Sequence, residues 1–481
     1  MTNSVYQTVI VGGGFTGLFA ALHLNHQHYP RSVVLLDKND RFCFKPLLYE
    51  YFSGEMDADQ VVPRYEELLH HSGVIFQQDT VQSLDLHQRQ VQLISGDTIP
   101  YSNLVLALGS VTGYFKVPGA EEYALPFRTQ QDAIATDHHL RDCLQRAIQL
   151  QDAEQRRQFL TTVIVGGGPS GVEIAATLGD LIPQWYEALG GDRREITVVL
   201  VNHGEILEGD VNSHLRDTAK QALQERVAPV RLTIGAKVTA IRPTEVEYQQ
   251  GDQVSTLAAG TIIWTAGTAT HPIIQSLPIP DEHRDRHGRL HVTPTLQLPD
   301  FPEVFAGGDA IVDLQPETGS GDQYEPLETE QNPAHSAEAH HPQPTPLPPT
   351  AQVAYQQGYA IAHNLRALAL RYAMKPARVN LRGTLLKLGL ENGVANIYNQ
   401  LEIKGELGHL IRQGTYLELL PTPLHDFKAT TEWLKDEVFE RYESNGLKQV
   451  AQVAGVVGGV VAGAIVARKL LQALDSGDRT V

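Results

Sequence analysis

Two stretches of this chain repeat one design, and the repetition leaves little freedom in what it can fold into. Thr8–Gly17 reads TVIVGGGFTG and Thr162–Glu173 reads TVIVGGGPSGVE. In each, a β-branched run predicts a short buried strand, the G-x-G-x-x-G spacing predicts a tight turn, and the residues beyond open a helix. The first copy carries Gly12, Gly14 and Gly17, with a strand over Thr8–Val11 and a helix over Leu18–Leu24. The second carries Gly166, Gly168 and Gly171, with Pro169 and Ser170 between them and a helix over Val172–Leu181. The first glycine permits the turn and the second lets a pyrophosphate approach the backbone. The third lets helix pack on strand, while free N–H groups at the helix start face the phosphates. One such loop is a weak signal. Two complete copies imply two dinucleotides held by one chain.

The residues that follow each loop refine this. A second apolar strand, Val33–Leu36, ends at Asp37, twenty residues after Gly17, where a carboxylate can hold both hydroxyls of an adenosine ribose. Phe15 and Thr16 inside the loop and Lys38 beside Asp37 join the cofactor-binding candidates. After the second loop the strand Thr197–Val201 ends at Asn202 instead, which would not repel a 2′-phosphate. His203, Arg193 and Arg194 lie near it in sequence, so NADH and NADPH both stay open as the exchanging nicotinamide, beside a resident flavin (FAD). Three further buried strands end in small residues: Leu104–Gly109, Thr261–Gly267 and Val304–Ala310. The last places Asp309 after Gly308, where an acid can accept a hydrogen bond from a ribityl hydroxyl. The aromatic-rich stretch Arg41–Glu50 holds one buried-looking cation, Lys45, which with Pro46 would sit beside the flavin ring and stabilise its anionic reduced form.

Composition bounds the rest. At 481 residues the chain is too long for one core. We expect segments 1–125 and 286–370 for FAD, 126–285 for NAD(P)H, and 371–481 for a quinone site and membrane attachment. A net charge of −18 argues against nucleic acid, since neutralising phosphates needs clustered Lys and Arg. The two cysteines, Cys43 and Cys143, form no CxxC pair, which excludes a disulfide scaffold and a flavin–disulfide relay. The first loop begins too early to leave room for a signal peptide, so a cytoplasmic-side location is expected. Val74–Asp85 and Arg89–Ile94 read as hairpin strands, Asp132–Gln158 as one long helix and Ala351–Leu370 as another. Asp313–Thr350 is proline-rich and acidic with almost no large apolar residues, and reads as a disordered insertion. Its His335, His340 and His341 match no metal-ligand spacing, so no metal is expected. Phe427–Tyr442 has amphipathic helical spacing. Val450–Ala467 carries no charge, spans about 27 Å as a helix, and lines Gly455, Gly459 and Gly463 along one face. It reads as a membrane-attachment element, peripheral or anchoring.

Taken together these features predict an α/β chain with two Rossmann-like dinucleotide-binding domains and a C-terminal amphipathic and apolar helical membrane-attachment region. At this point the chain resembles the type II NAD(P)H:quinone oxidoreductases, single-subunit flavoproteins that do not pump protons. The resemblance runs from Val9 to about Tyr442 apart from the insertion. It rests on Phe44–Glu50 (FKPLLYE), Gly166–Glu173 and above all Ala351–Gln357 (AQVAYQQ). It implies that this element lies where the quinone head group meets the flavin, with Gln352 and Gln356 as the polar contacts, the apolar positions shaping the tunnel, and Ala351, Gln352 and Val353 beside the cofactor. It implies that Glu173 stands near the nicotinamide and takes part in proton delivery. Arg382 stands where many members carry lysine. The wording is most similar to cyanobacterial and plastid members, which leaves plastoquinone, menaquinone or another naphthoquinone, and ubiquinone open as acceptor. The expected partners are that membrane quinone, the membrane surface and a second copy of the chain as a homodimer. Two alternatives stand beside this reading: a sulfide:quinone reductase, which would need redox cysteines, and a redox-sensing flavoprotein that signals through the acidic insertion.

Overall fold

The computed structural model describes residues 7–208, 213–313, 346–397 and 401–419. Its centre is a pair of five-stranded parallel sheets. In the first, the strand Gln7–Val11 lies between Ser32–Asp37 and Asn103–Leu106, with Ile75–Gln78 and Val304–Ala306 at the edges. In the second, Thr161–Val165 lies between Thr197–Asn202 and Thr261–Trp264, with Val230–Ile234 and Leu125–Pro126 at the edges. Val9, Ile10 and Val11, like Val163 and Ile164, are fully buried, as expected where helices or loops cover both faces of a parallel sheet. The α/β expectation with two dinucleotide folds therefore holds. A small antiparallel pair, Ser110–Thr112 with Thr268–Thr270, ties the two halves together.

Both glycine-loop helices start earlier than the periodicity suggests, at Phe15 and at Pro169, immediately after the second glycine of each motif. The residues between the second and third glycines already form the first turn, so their amides face outward. The first-loop helix Phe15–His26 packs on the helix Ala351–Ala369. A Cβ at Gly358 would lie 2.5 Å from the Thr16 carbonyl oxygen, so only glycine allows this approach.

Three expectations need correction. Asp132–Gln158 is two helices, Gln130–Gln149 and Ala153–Phe159. Asp152 interrupts the run by accepting the amides of Glu154 and Gln155, which caps a new helix. Val74–Asp85 is likewise two strands. Ile75–Gln78 joins the first parallel sheet, whereas Val81–Asp85 turns away into a three-stranded antiparallel sheet with Gln90–Leu93 and Thr98–Pro100. The Asp79 side chain accepts the Thr80 amide at the break. The stretch Asp313–Thr350 is not wholly irregular. Leu347 donates its amide to the Asp313 carbonyl at 3.2 Å, and Thr350 caps the helix Ala351–Ala369. Residues 314–345, with His335, His340 and His341, lie outside the described residues.

The last described portion is a three-stranded antiparallel sheet, Gly383–Lys387, Gly393–Ile397 and Leu401–Lys404, followed by the helix Gly405–Glu418. It packs against the second-loop helix Pro169–Ala188. Among the described residues no helix is long and apolar enough to cross a membrane. Phe427–Tyr442 and Val450–Ala467 lie outside them.

Candidate functional site

The two glycine loops open onto one cavity of about 340 Å³, within the range of small-molecule and cofactor sites. Gly14, Phe15 and Thr16 line one wall, and Pro169, Ser170 and Glu173 line another. Lys45, Gly109, Gly308, Asp309 and Ala351 complete the set of expected residues that reach it. The structure thus gathers at one point residues more than three hundred positions apart.

The remaining members of the expected set occupy other places. Gly12 adopts φ +101°, and a Cβ there would meet the Ala107 carbonyl oxygen at 2.4 Å. At Gly17 a Cβ would meet the Gly12 carbonyl oxygen at 1.9 Å, and at Gly171 that of Gly166 at 1.8 Å, the close helix–strand approach the motif requires. Gly14 and Gly168 have open space in front of them, which suits a pyrophosphate. Gly12, Asp37 and Lys38 line a separate groove with Asp79, Thr80 and His271. Asp37 accepts the Gly13 amide at 2.7 Å and the Asn39 amide at 2.8 Å. Burial raises its pKa, partly offset by these hydrogen bonds. Gly267, at φ +157°, lies under the ring of Phe115.

Around the cavity floor the polar groups are fixed. Ser110 donates to Asp309 at 2.6 Å, and the Arg128 guanidinium donates to Ser110 Oγ at 2.8 Å. Burial lowers the pKa of Lys45, helped by Arg128 and opposed by Asp309. A cation that is costly to keep charged in the protein alone is well placed to meet an anionic ring. These features fit a flavin dinucleotide. The two loops give open phosphate cradles, a groove with the carboxylate of Asp37 lies beyond the first, and the cavity wall bears the cation Lys45.

Gln352 and Gln356 do not line the cavity. The Arg382 amide donates to Gln352 Oε1 at 3.0 Å, while Gln356 both accepts the Asn380 amide at 2.9 Å and donates to the Asn380 carbonyl at 3.1 Å. Both side chains clip the segment 380–382 that leads into the strand Gly383–Lys387. Ala351, Ala354 and Thr350 present the helix start to the cavity, opposite Thr384, Leu385 and Leu386. Val353 is buried beside a smaller neighbouring pocket with Gln357. Gln357, which lines that smaller pocket, is the glutamine that holds a cavity residue, Gly308. Its Oε1 accepts the Gly308 amide at 2.7 Å and its Nε2 donates to Asp313 at 3.0 Å.

Asn202 also serves the backbone. It accepts the Gly167 amide at 2.8 Å and donates to the carbonyls of Gly204 and Glu205. Arg193 and Arg194, expected near it, stand before the start of the strand Thr197–Asn202 and are paired with Glu187 and Asp192. A strand of that length separates them from Asn202 by about 16–20 Å, so they cannot reach the same phosphate. His203 is exposed and adjacent to Asn202.

Behind Glu173 lies a group of charges that no motif announced. Arg412 bonds Glu50 and donates to the Pro46 carbonyl and, at 3.4 Å, to Glu173. Lys387 bonds Glu55, lies 3.5 Å from Glu50, and donates its backbone amide to Glu173 at 2.9 Å. Glu50, Lys387 and Arg412 are fully buried. Burial raises Glu173 to about 7, against the pull of Arg412 and the Lys387 amide. Burial also works against the charge on Glu50, but Arg412 and Lys387 outweigh it and hold Glu50 at about 2. The visible signal was a cation inside an apolar run, Lys387 in LLKLGL and Arg412 in HLIRQG.

A family profile described as pyridine nucleotide-disulphide oxidoreductase matches residues 6–358. The chain is 31% identical over 442 residues to demethylphylloquinone reductase NdbB of Synechocystis sp., covering 90% of this chain and 97% of that one. It is 28% identical over 458 residues to the alternative NAD(P)H-ubiquinone oxidoreductase C1 of Arabidopsis thaliana, covering 88% and 79%. In fold it is similar to NDH2 of Plasmodium falciparum in complex with NADH, with a TM-score of 0.76 at 19% identity, covering 90% of this chain and 98% of that one.

Proposed function

The chain belongs to the pyridine nucleotide-disulphide oxidoreductase family, and we propose that its cavity is where electrons pass from NAD(P)H through FAD to a membrane quinone. The protein is a type II NAD(P)H:quinone oxidoreductase, whose reaction moves two electrons without pumping protons. One observation carries the reading: both glycine loops supply walls to a single cavity. When bound, FAD supplies the step between a two-electron hydride donor and a quinone. The protein's contribution is to hold, orient and exclude water.

Gly12, Gly14, Thr16 and Asp37 would hold the FAD phosphates and ribose. Lys45, Gly109, Gly308 and Asp309 would hold its flavin end. Gly166, Gly168, Pro169, Ser170 and Gly171 would receive the nicotinamide nucleotide. The quinone head would enter between Ala351 and Ala354 on one side and Thr384–Leu386 on the other, with Gln352 and Gln356 fixing that second wall. Neither Cys43 nor Cys143 lines the cavity, and burial pushes the Cys43 thiol up to about 11. A sulfide-oxidising cysteine relay therefore has no support here. A lipid-dissolved acceptor calls for a membrane-bound enzyme; we place it on the cytoplasmic side, with the charge-free run Val450–Ala467 as the proposed attachment element. The homodimer belongs to the same proposal.

The test is kinetic. NADH or NADPH should bleach the flavin of the purified holoenzyme, and plasto-, mena- or ubiquinone analogues should restore its colour. Gln356→Leu should cut quinone reduction about tenfold while sparing ferricyanide reduction, since it loosens only the quinone-side wall. Equal loss with both acceptors would overturn that assignment, and absence of flavin would overturn the whole reading.

A further inference from the structure

Strand register places the two nucleotide folds in exact correspondence. Val11 pairs with Leu106 in the first sheet and Val165 with Trp264 in the second. The next amides, of Ala107 and Thr265, donate back to the carbonyls of Val11 and Val165 at 2.9 and 2.8 Å. Three residues beyond Leu106 and Trp264 stand Gly109 and Gly267, at the same place in their folds. Gly109 has open space in front of it and lines the cavity. At Gly267 that space is taken: a Cβ there would lie 2.6 Å from Cζ of Phe115. We propose that Phe115 is a gate on the nicotinamide nucleotide site, its ring filling the nicotinamide half of the second fold until the dinucleotide displaces it. This rests on the NAD(P)H reading of the second glycine loop.

The first fold identifies which half of the nucleotide the ring meets. There Gly109 shares the cavity with Lys45 and Asp309, whereas Asp37, at the end of the neighbouring strand, lines a separate groove. In the second fold the strand Thr161–Val165 lies between Thr197–Asn202 and Thr261–Trp264. Asn202 and Gly267 therefore stand on opposite sides of the second glycine loop, as Asp37 and Gly109 do about the first. A dinucleotide laid across the carboxyl ends of these strands passes both. Its adenosine half meets Asn202, and its nicotinamide half meets the place that Phe115 covers.

The chain on either side of the ring is pinned. The Gly113 amide donates to the Gly267 carbonyl at 3.0 Å, and the Gly113 carbonyl accepts from Trp264 Nε1 at 2.9 Å. The Val117 amide closes a turn onto the Tyr114 carbonyl at 2.9 Å. Inside that turn Phe115 (φ +50°) and Lys116 (φ +58°) are both left-handed, a region that bulky side chains seldom enter. The held turn aims the ring at Gly267. Yet the ring stays 60% exposed, so it gives up little burial on leaving. An apolar ring kept in water over a glycine is a removable cover, not part of a core. While it is closed it lowers the apparent affinity for the nucleotide by the fraction of molecules in that state.

The experiment measures nucleotide binding to the holoenzyme by calorimetry, with NAD+ and NADP+, and flavin bleaching by anaerobic stopped flow, with NADH and NADPH. Phe115→Ala should tighten binding of the oxidised nucleotides about fivefold. It should raise the second-order bleaching rate at low nucleotide in like proportion and leave the plateau rate unchanged, because hydride transfer itself is not touched. Phe115→Trp should move affinity and second-order rate the other way. ADP, which carries only the adenosine half, should bind wild type and both variants with equal affinity. Weaker nucleotide binding in Phe115→Ala would make the ring a clamp and overturn the gate. Unchanged affinity, or a change shared by ADP, would overturn it as well. Dinucleotides that bind as expected while neither reduced form bleaches the flavin would instead sink the functional reading and leave the gate standing.

Discussion

Asn202 stands in the second nucleotide fold where Asp37 stands in the first. Asp37 accepts the Gly13 amide at 2.7 Å and Asn202 accepts the Gly167 amide at 2.8 Å, each from the end of the strand beside its loop. The two side chains brace their glycine turns in the same way. They differ in charge.

Asn202→Asp preserves the bond to Gly167 and adds a negative charge. It should lower kcat/KM for NADPH relative to NADH by roughly tenfold or more, because a carboxylate repels the 2′-phosphate and accepts from the free 2′-hydroxyl. Steady-state rates with both nucleotides check this. A ratio unchanged from wild type would show that the adenosine ribose lies elsewhere.

Gly358 is a point of close approach between the helices Phe15–His26 and Ala351–Ala369, with a hypothetical Cβ 2.5 Å from the Thr16 carbonyl oxygen and 3.1 Å from the Ala20 amide. Both contacts are backbone and cannot move aside. Gly358→Val should destabilise the protein by about 1–3 kcal/mol and reduce flavin content on purification. Thermal unfolding and the ratio of flavin to protein absorbance measure the two effects.

Glu173 makes stability depend on pH in a definite direction. Burial raises it from the ordinary 4.5 to about 7, so the folded state prefers the neutral acid. Its contribution is fully present below about pH 4.5 and is lost as pH rises through 7. Glu173→Gln keeps an acceptor for the Lys387 amide and cannot ionise. The stability difference in favour of the variant should grow by about 2 kcal/mol between pH 5 and pH 8. Denaturant unfolding across that range tests it, and a difference independent of pH would contradict the assigned burial.

The Glu50–Arg412 pair is fully buried. Arg412→Leu alone should cost about 3–5 kcal/mol, since it strips Glu50 of its nearest cation. Glu50→Leu with Arg412→Leu should cost less than the sum of the two single changes, by on the order of 1–3 kcal/mol, with Lys387 still paired to Glu55. Unfolding of the four proteins completes the cycle, and simple additivity would mean that the two side chains are not coupled.

Much of the fold was legible along the chain because its signals are local. A β-branched run followed by G-x-G-x-x-G states strand, turn and helix within a dozen residues, and it did so twice. Asp309 after Gly308 was legible for the same reason, as was the helix from Ala351. The errors came where a single polar side chain redirected the backbone. Asp152 capped a new helix inside a helical pattern, and Asp79 turned a strand out of its sheet. Arg193 and Arg194 look close to Asn202 along the chain, but an extended strand puts its two ends far apart.

By itself, then, the sequence determined that this chain builds two dinucleotide folds, because each is specified by contiguous residues whose backbone needs are met within one strand–turn–helix unit. Only the tertiary structure decided that both loops face one cavity, that Gln357 holds Gly308 while Gln352 and Gln356 clip the segment 380–382, and that Glu50 and Glu173 share Arg412. Those relationships join residues hundreds of positions apart. Their energy depends on burial and on the sum of neighbouring charges, neither of which is a property of any stretch of chain taken alone.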